Sequence, residues 1–112
     1  MYENMFIYLY DRMKQQENSI QRLEKAALIL KTVAHPARLA IIDLLKRHQE
    51  LTVSEIIQAI ELEQSLTSHH LTNMKVRGIL GSKRVGKQIF YYLKERDVAK
   101  VIDCIEHCKP NF

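Results

Sequence analysis

The sequence predicts a mainly α-helical fold closed by a small two-stranded β-hairpin, and three observations carry that prediction. Only three glycines and two prolines interrupt 112 residues, so long helices meet few breakers. Apolar residues recur at i, i+3 and i+4 along most of the chain. Near Ile89 the period switches to two, as a half-buried strand requires.

The elements follow in order. Tyr2, Met5, Phe6, Leu9 and Met13 form one apolar stripe, widened by Ile7, Tyr8 and Tyr10. Ile20, Leu23, Ala26, Ala27, Leu30 and Val33 keep the same period, either as one continuous helix or after a restart capped at Asn18-Ser19. Pro36 suits the first position of a new helix, with His35 as its cap. Leu39, Ile41, Ile42, Leu44 and Leu45 form the buried face of that helix, with Arg38, Lys46 and Arg47 outside.

Thr52-Val53-Ser54-Glu55 has the pattern of a capping box and opens a short helix ending near Ile60. Another helix runs from Gln64–Ser65 to about Arg77, with Gly78 just past its end. Two helices joined by so short a turn read as a helix-turn-helix. A strand around Ser82–Arg84, a tip at Gly86 and the alternating Ile89–Leu93 make the hairpin. Val98, Val101, Ile102, Ile105 and Cys108 mark a last amphipathic helix, stopped by Pro110.

Composition narrows the class. At this length one domain over residues 1–112 is expected. No apolar run approaches the ~20 residues of a membrane span, so no membrane role is expected, and the charged N-terminus does not resemble a secretion signal. Cys104 and Cys108 are too few and too close for a disulfide framework, which suggests a cytoplasmic chain with reduced thiols. A glycine-rich phosphate loop, a His-Glu-x-x-His pair and a nucleophile motif are all missing, which argues against an enzyme.

Charge is distributed unevenly. From Gln64 to Lys94 there is no carboxylate, while Lys75, Arg77, Lys83, Arg84, Lys87 and Lys94 contribute six positive charges; the whole chain is +4. The remainder therefore sums to 4 − 6 = −2, and the positive field is concentrated on the second helix of the pair and the hairpin. A positive surface on such a unit is what phosphate binding needs.

A helix-turn-helix followed at once by a basic hairpin is a winged helix-turn-helix. Three segments, in this order and spacing, resemble the ArsR-type (arsenic-repressor-like) bacterial transcriptional regulators. Leu30-Lys31-Thr32-Val33-Ala34-His35-Pro36-Ala37-Arg38-Leu39 is similar to that family's leading helix pair. Gln64-Ser65-Leu66-Thr67-Ser68-His69-His70-Leu71 with Gly78-Ile79-Leu80 is similar to its recognition helix, and Arg84-Val85-Gly86-Lys87 with Tyr91-Tyr92 to its wing. The resemblance covers about Leu28 to Cys108 and implies a homodimer that binds double-stranded DNA, usually a repressor released by a metal ion or another small inducer. The chain departs from the pattern at Glu61, where the family's turn usually has glycine, and at Thr67 and Met74, which replace aliphatic residues.

On the recognition helix, Thr67, Leu71, Met74 and Gly78 share an inward face, which turns Ser65, Ser68, His69 and Thr72 outward to read base edges. The expected DNA-contacting set is Gln64, Ser65, Thr67, Ser68, His69, His70, Thr72, Asn73, Lys75, Lys83, Arg84, Lys87 and Tyr91. The expected dimer interface is Met5, Phe6, Leu9 and Met13 with Val98, Val101, Ile102 and Ile105, surplus apolar surface for so short a chain. The rival reading is a winged-helix module that binds proteins through its apolar first helix and no DNA.

His69 and His70 diverge by about 100° around a helix and cannot chelate one ion together. The resemblance places metal ligands at two other sites. One is a cysteine pair where this chain has Leu51–Glu55, without a thiolate. The other is the last helix, where Glu95, Asp97, Cys108 and Asn111 with adjacent His107 form a partial set for zinc or a softer ion. Of these, Asp97, His107 and Cys108 are the candidates, against a plain reading of the cysteines as small apolar interface residues.

Overall fold

The computed structural model describes residues 4–108. Along them run α1 (Met5–Val33), α2 (Pro36–Arg47), β1 (Leu51–Thr52), α3 (Val53–Ile60), α4 (Gln64–Val76), β2 (Leu80–Val85), β3 (Gln88–Leu93) and α5 (Asp97–Glu106). Tyr2, Pro110 and Asn111 lie outside the described residues. The chain divides into two units, Met1–Lys31 and Thr32–Phe112.

The first unit is α1 up to Lys31. The helix passes through Asn18-Ser19 without a restart, and its N-terminus is closed by Asn4, whose Oδ1 accepts the Phe6 amide at 2.9 Å. Met5, Phe6, Leu9 and Met13 are all exposed, Phe6 by 82%.

The second unit holds the core. Pro36 opens α2, and His35 Nδ1 accepts the Ala37 amide at 3.2 Å. Ile41, Ile42 and Leu45 are fully buried, as are Ile56 of α3, Leu71 and Met74 of α4, and Ile79 and Leu80 at the start of the hairpin; Leu39 and Leu44 are half-buried. The capping box is complete: Thr52 Oγ1 accepts from the Glu55 amide, and Glu55 accepts from the Thr52 amide at 2.9 Å. The Thr52 amide foremost, and then the Thr52 hydroxyl, which donates to the same carboxylate at 2.9 Å, hold the Glu55 carboxyl below its usual range. Glu61 ends α3 with φ +54°, in the left-handed region.

The end of α4 is a Schellman motif. Gly78, at φ +80°, donates to the Lys75 carbonyl, and Ile79 donates to that of Met74, both at 3.0 Å. The Ile79 carbonyl then accepts from both Lys94 (2.9 Å) and Glu95 (3.0 Å), tying the end of α4 to the exit of the hairpin.

The sheet is antiparallel and has three strands, ordered β1-β3-β2, not two. Leu51 and Thr52 pair with Tyr91 and Phe90. Two residues are too few to show alternation, and the capping box overlaps them, so the sequence concealed this strand. β2 and β3 pair from Leu80↔Leu93 to Val85↔Gln88, leaving a two-residue tip at Gly86-Lys87. Gly86 has φ +64° and Lys87 does not share the positive φ, the pattern of a type II′ turn. At the base of the hairpin Gly81 lies under Tyr92; a Cβ there would be 2.3 Å from the ring Cζ. α5 packs on α2 and is joined to it by the Lys46–Asp103 ion pair, which raises the Lys46 pKa through its hydrogen bond to that carboxylate.

Candidate nucleic-acid interface

α4 presents two chemically different faces. Thr67, His70, Leu71 and Met74 are buried; Gln64, Ser65, Leu66, His69, Thr72, Lys75 and Val76 are exposed, and Ser68 and Asn73 lie at the boundary. The outward set agrees with the spacing argument for Ser65, His69 and Thr72. Two expected DNA contacts are corrected. The Thr67 hydroxyl donates to the Glu63 carbonyl at 2.9 Å inside the core. His70 is 3% exposed, because the i, i+3, i+4 stripe that buries Thr67, Leu71 and Met74 sweeps in its position as well.

Arg38 is also corrected from the solvent side. Its Nε donates to His70 Nδ1 at 3.0 Å, and its Nη1 donates to the Thr32 carbonyl at 2.9 Å and to Asn73 Oδ1 at 3.0 Å. Sequence reasoning missed this guanidinium because bonds across more than thirty positions leave no periodic trace. Burial above all, then the positive neighbours His35, Arg38 and His69, pushes the His70 pKa down.

Two carboxylates outside the acid-free stretch bear on it. Glu63 accepts from the Ser65 hydroxyl at 2.7 Å, so one candidate base-reading side chain is already engaged. Glu50 forms an ion pair with Lys83 at 2.6 Å, partly neutralising the root of the hairpin. Arg84 braces the tip, its Nε donating to the Gly86 carbonyl at 3.2 Å. Lys87 stands exposed at the tip, as do Lys75 and Arg77 at the end of α4. Tyr91 is half-buried between Ser82 and Leu51.

On α5, Val98 is buried within its own chain and drops out of the expected dimer surface, whereas Val101 and Ile105 are exposed and Ile102 is half-buried. Asp97 is bonded to Lys100 at 3.4 Å, and His107 Nδ1 lies 2.7 Å from the Asp103 carbonyl. Cys104 and Cys108 are free and exposed. Among the described residues no three His, Cys, Asp or Glu side chains are grouped to hold an ion. Asp97 opens α5 and Cys108 lies just past its end, so these two are not neighbours on the helix.

A helix-turn-helix whose second helix exposes hydroxyls and imidazole, followed directly by a cationic hairpin, defines a winged helix-turn-helix protein. The sequence profile described as "Bacterial regulatory protein, arsR family" matches residues 35–82, and the chain belongs to that family. It is 41% identical over 80 residues to the transcriptional repressor PagR of Bacillus anthracis, covering 71% of this chain and 80% of PagR. The crystal structure of PagR superposes with a TM-score of 0.70 at 38% identity, over 77% of this chain and 98% of that one. The transcriptional activator HlyU of Vibrio cholerae is 30% identical over 99 residues, 83% of this chain and 91% of HlyU. The solution structure of the homodimeric winged helix-turn-helix DNA-binding domain of Mb0332 from Mycobacterium bovis matches with a TM-score of 0.69 at 27% identity, over 79% of this chain and 81% of that one. The family is one of transcriptional regulators, not enzymes. No helix among the described residues is long and apolar enough to cross a membrane.

Proposed function

We propose that this chain is a homodimeric, sequence-specific DNA-binding repressor that lays α4 in the major groove and its β2–β3 wing on the phosphate backbone. The observation that carries the reading is the stretch from Gln64 to Lys94, which contains no carboxylate and whose Lys75, Arg77 and Lys87 are exposed. Gln64, Ser65, Ser68, His69, Thr72 and Asn73 contact base edges or adjacent phosphates; Lys75, Lys83, Arg84 and Lys87 set register on the backbone.

Dimerisation uses the exposed stripe Met5, Phe6, Leu9 and Met13 together with Val101, Ile102 and Ile105. It is supported by the homodimeric state of the Mycobacterium bovis domain. Repression follows the PagR likeness, and since HlyU is an activator, a promoter-fusion reporter decides the sign.

The test begins by selecting duplexes from a random library and titrating the selected duplex by fluorescence anisotropy across salt. A dimer that neutralises about eight phosphates gives a log K against log salt slope near −7. A slope close to zero, or no duplex retained, overturns the proposal.

A further inference from the structure

Arg38 lies outside the proposed DNA surface, yet it bonds to α4 at two places one helical turn apart, His70 and Asn73, and to the Thr32 carbonyl at the end of α1. An arginine donates and never accepts. His70 Nδ1 must therefore be an unprotonated acceptor, which places the ring's single proton on Nε2. That Nε2 is buried and has no hydrogen-bond partner.

We propose that Arg38 is a positioning residue for DNA binding: it holds α4 in its groove-competent pose through neutral His70 and Asn73, so that protonating His70 releases the helix. This rests on the reading of α4 as the DNA-contacting helix.

The chemistry is one of donors and acceptors. A proton on Nδ1 would set N–H against the Arg38 N–H at 3.0 Å, with an imidazolium beside a guanidinium. The groups acting on the ring are Arg38 of α2, His35 at the α2 N-cap, 4.6 Å away between ring centroids, and His69 of α4 at 6.0 Å. Of the other elements packed on α4, α3 carries only Glu55, and β2 carries Lys83 and Arg84; none of them acts on the ring. Among the described residues no carboxylate acts on the ring to stabilise its charged form.

The sign follows. Native His70 resists its proton, so the engaged state is complete at neutral pH and is lost as pH falls below the ordinary histidine range. Plain phosphate attraction predicts the reverse, because a protein that gains positive charge in acid holds phosphates more tightly. The two effects are therefore separable by direction.

The experiment measures the affinity of the full chain for the selected duplex at pH 7.5, 6.5 and 5.5, at constant ionic strength, with circular dichroism at each pH. Wild type is expected to weaken about tenfold toward pH 5.5, the scale of losing one charge-assisted hydrogen bond. Arg38→Gln weakens binding about tenfold already at pH 7.5 with an unchanged salt slope. It also removes most of the acid weakening, because the bond that protonation of His70 breaks is already absent. A merely structural arginine would leave the acid response of wild type in place. Should Arg38→Gln not fold, His70→Gln, which keeps an acceptor but has no proton to take up, carries the test: its affinity must not weaken in acid as that of wild type does.

A second readout needs no DNA. Nitrogen-15 shifts of His70 in the free protein should show bare Nδ1 and protonated Nε2 at pH 7, with a titration midpoint that rises in the Arg38 variant. Wild-type affinity that is flat or rises in acid, an unmoved midpoint, or a protonated Nδ1 at pH 7 would each overturn the proposal. If no duplex is selected, the DNA-binding reading fails while the nitrogen shifts still decide the Arg38–His70 contact.

Discussion

At Glu61 the backbone takes φ +54°, where a β-carbon crowds the neighbouring carbonyl. Among the described residues no hydrogen bond or ion pair of its exposed side chain offsets that cost. Glu61→Gly should raise stability by about 1 kcal/mol, visible as a higher melting temperature, although glycine's greater freedom when unfolded offsets part of the gain. Gly81 is the opposite case. Its missing side chain is occupied by the Tyr92 ring, so Gly81→Ala must displace that ring from the root of the wing. The expected loss is about 1–3 kcal/mol by denaturant titration, and it should largely vanish when Gly81→Ala is made in a Tyr92→Ala background, where the obstructing ring is absent.

Among the elements, those with local signatures were legible in the sequence and those made by distant pairing were not. Pro36 with His35, the Thr52–Glu55 box and Gly78 each announce a helix end through chemistry confined to a few neighbouring residues. The tip at Gly86 is local in the same way. β1 was invisible because its partners Phe90 and Tyr91 are far along the chain. Of the candidate site, the outward face of α4 followed from period alone, and so did the inward Thr67. The burial of His70 was open to the same reading, since it completes the i, i+3, i+4, i+7 set with Thr67, Leu71 and Met74; its bond to Arg38 of α2 was not. The Lys83–Glu50 pair was hidden for the same reason as β1.

On the scale of the whole molecule, the exposed stripe on α1 is the feature a lone chain does not satisfy. Phe6 and Met13 carry apolar surface that solvent does not reward. Phe6→Glu should shift the sedimentation mass from dimer toward monomer at micromolar concentration and weaken DNA binding with it, because two half-sites are no longer engaged together. A variant that sediments like wild type would remove α1 from the interface.

The bifurcated Ile79 carbonyl carries a consequence for which DNA such a protein can accept. One residue holds the end of α4 and the outgoing end of the wing, its N–H on the Met74 carbonyl and its own carbonyl on the amides of Lys94 and Glu95, so the two act like the jaws of a caliper with a set opening. Between the proposed groove contact and the proposed backbone contact there is little slack for the protein to take up. The duplex has to supply the fit through its own width and bendability, and those vary with base step. Bases that no side chain touches would then still influence affinity, through the mechanical compliance of the DNA itself.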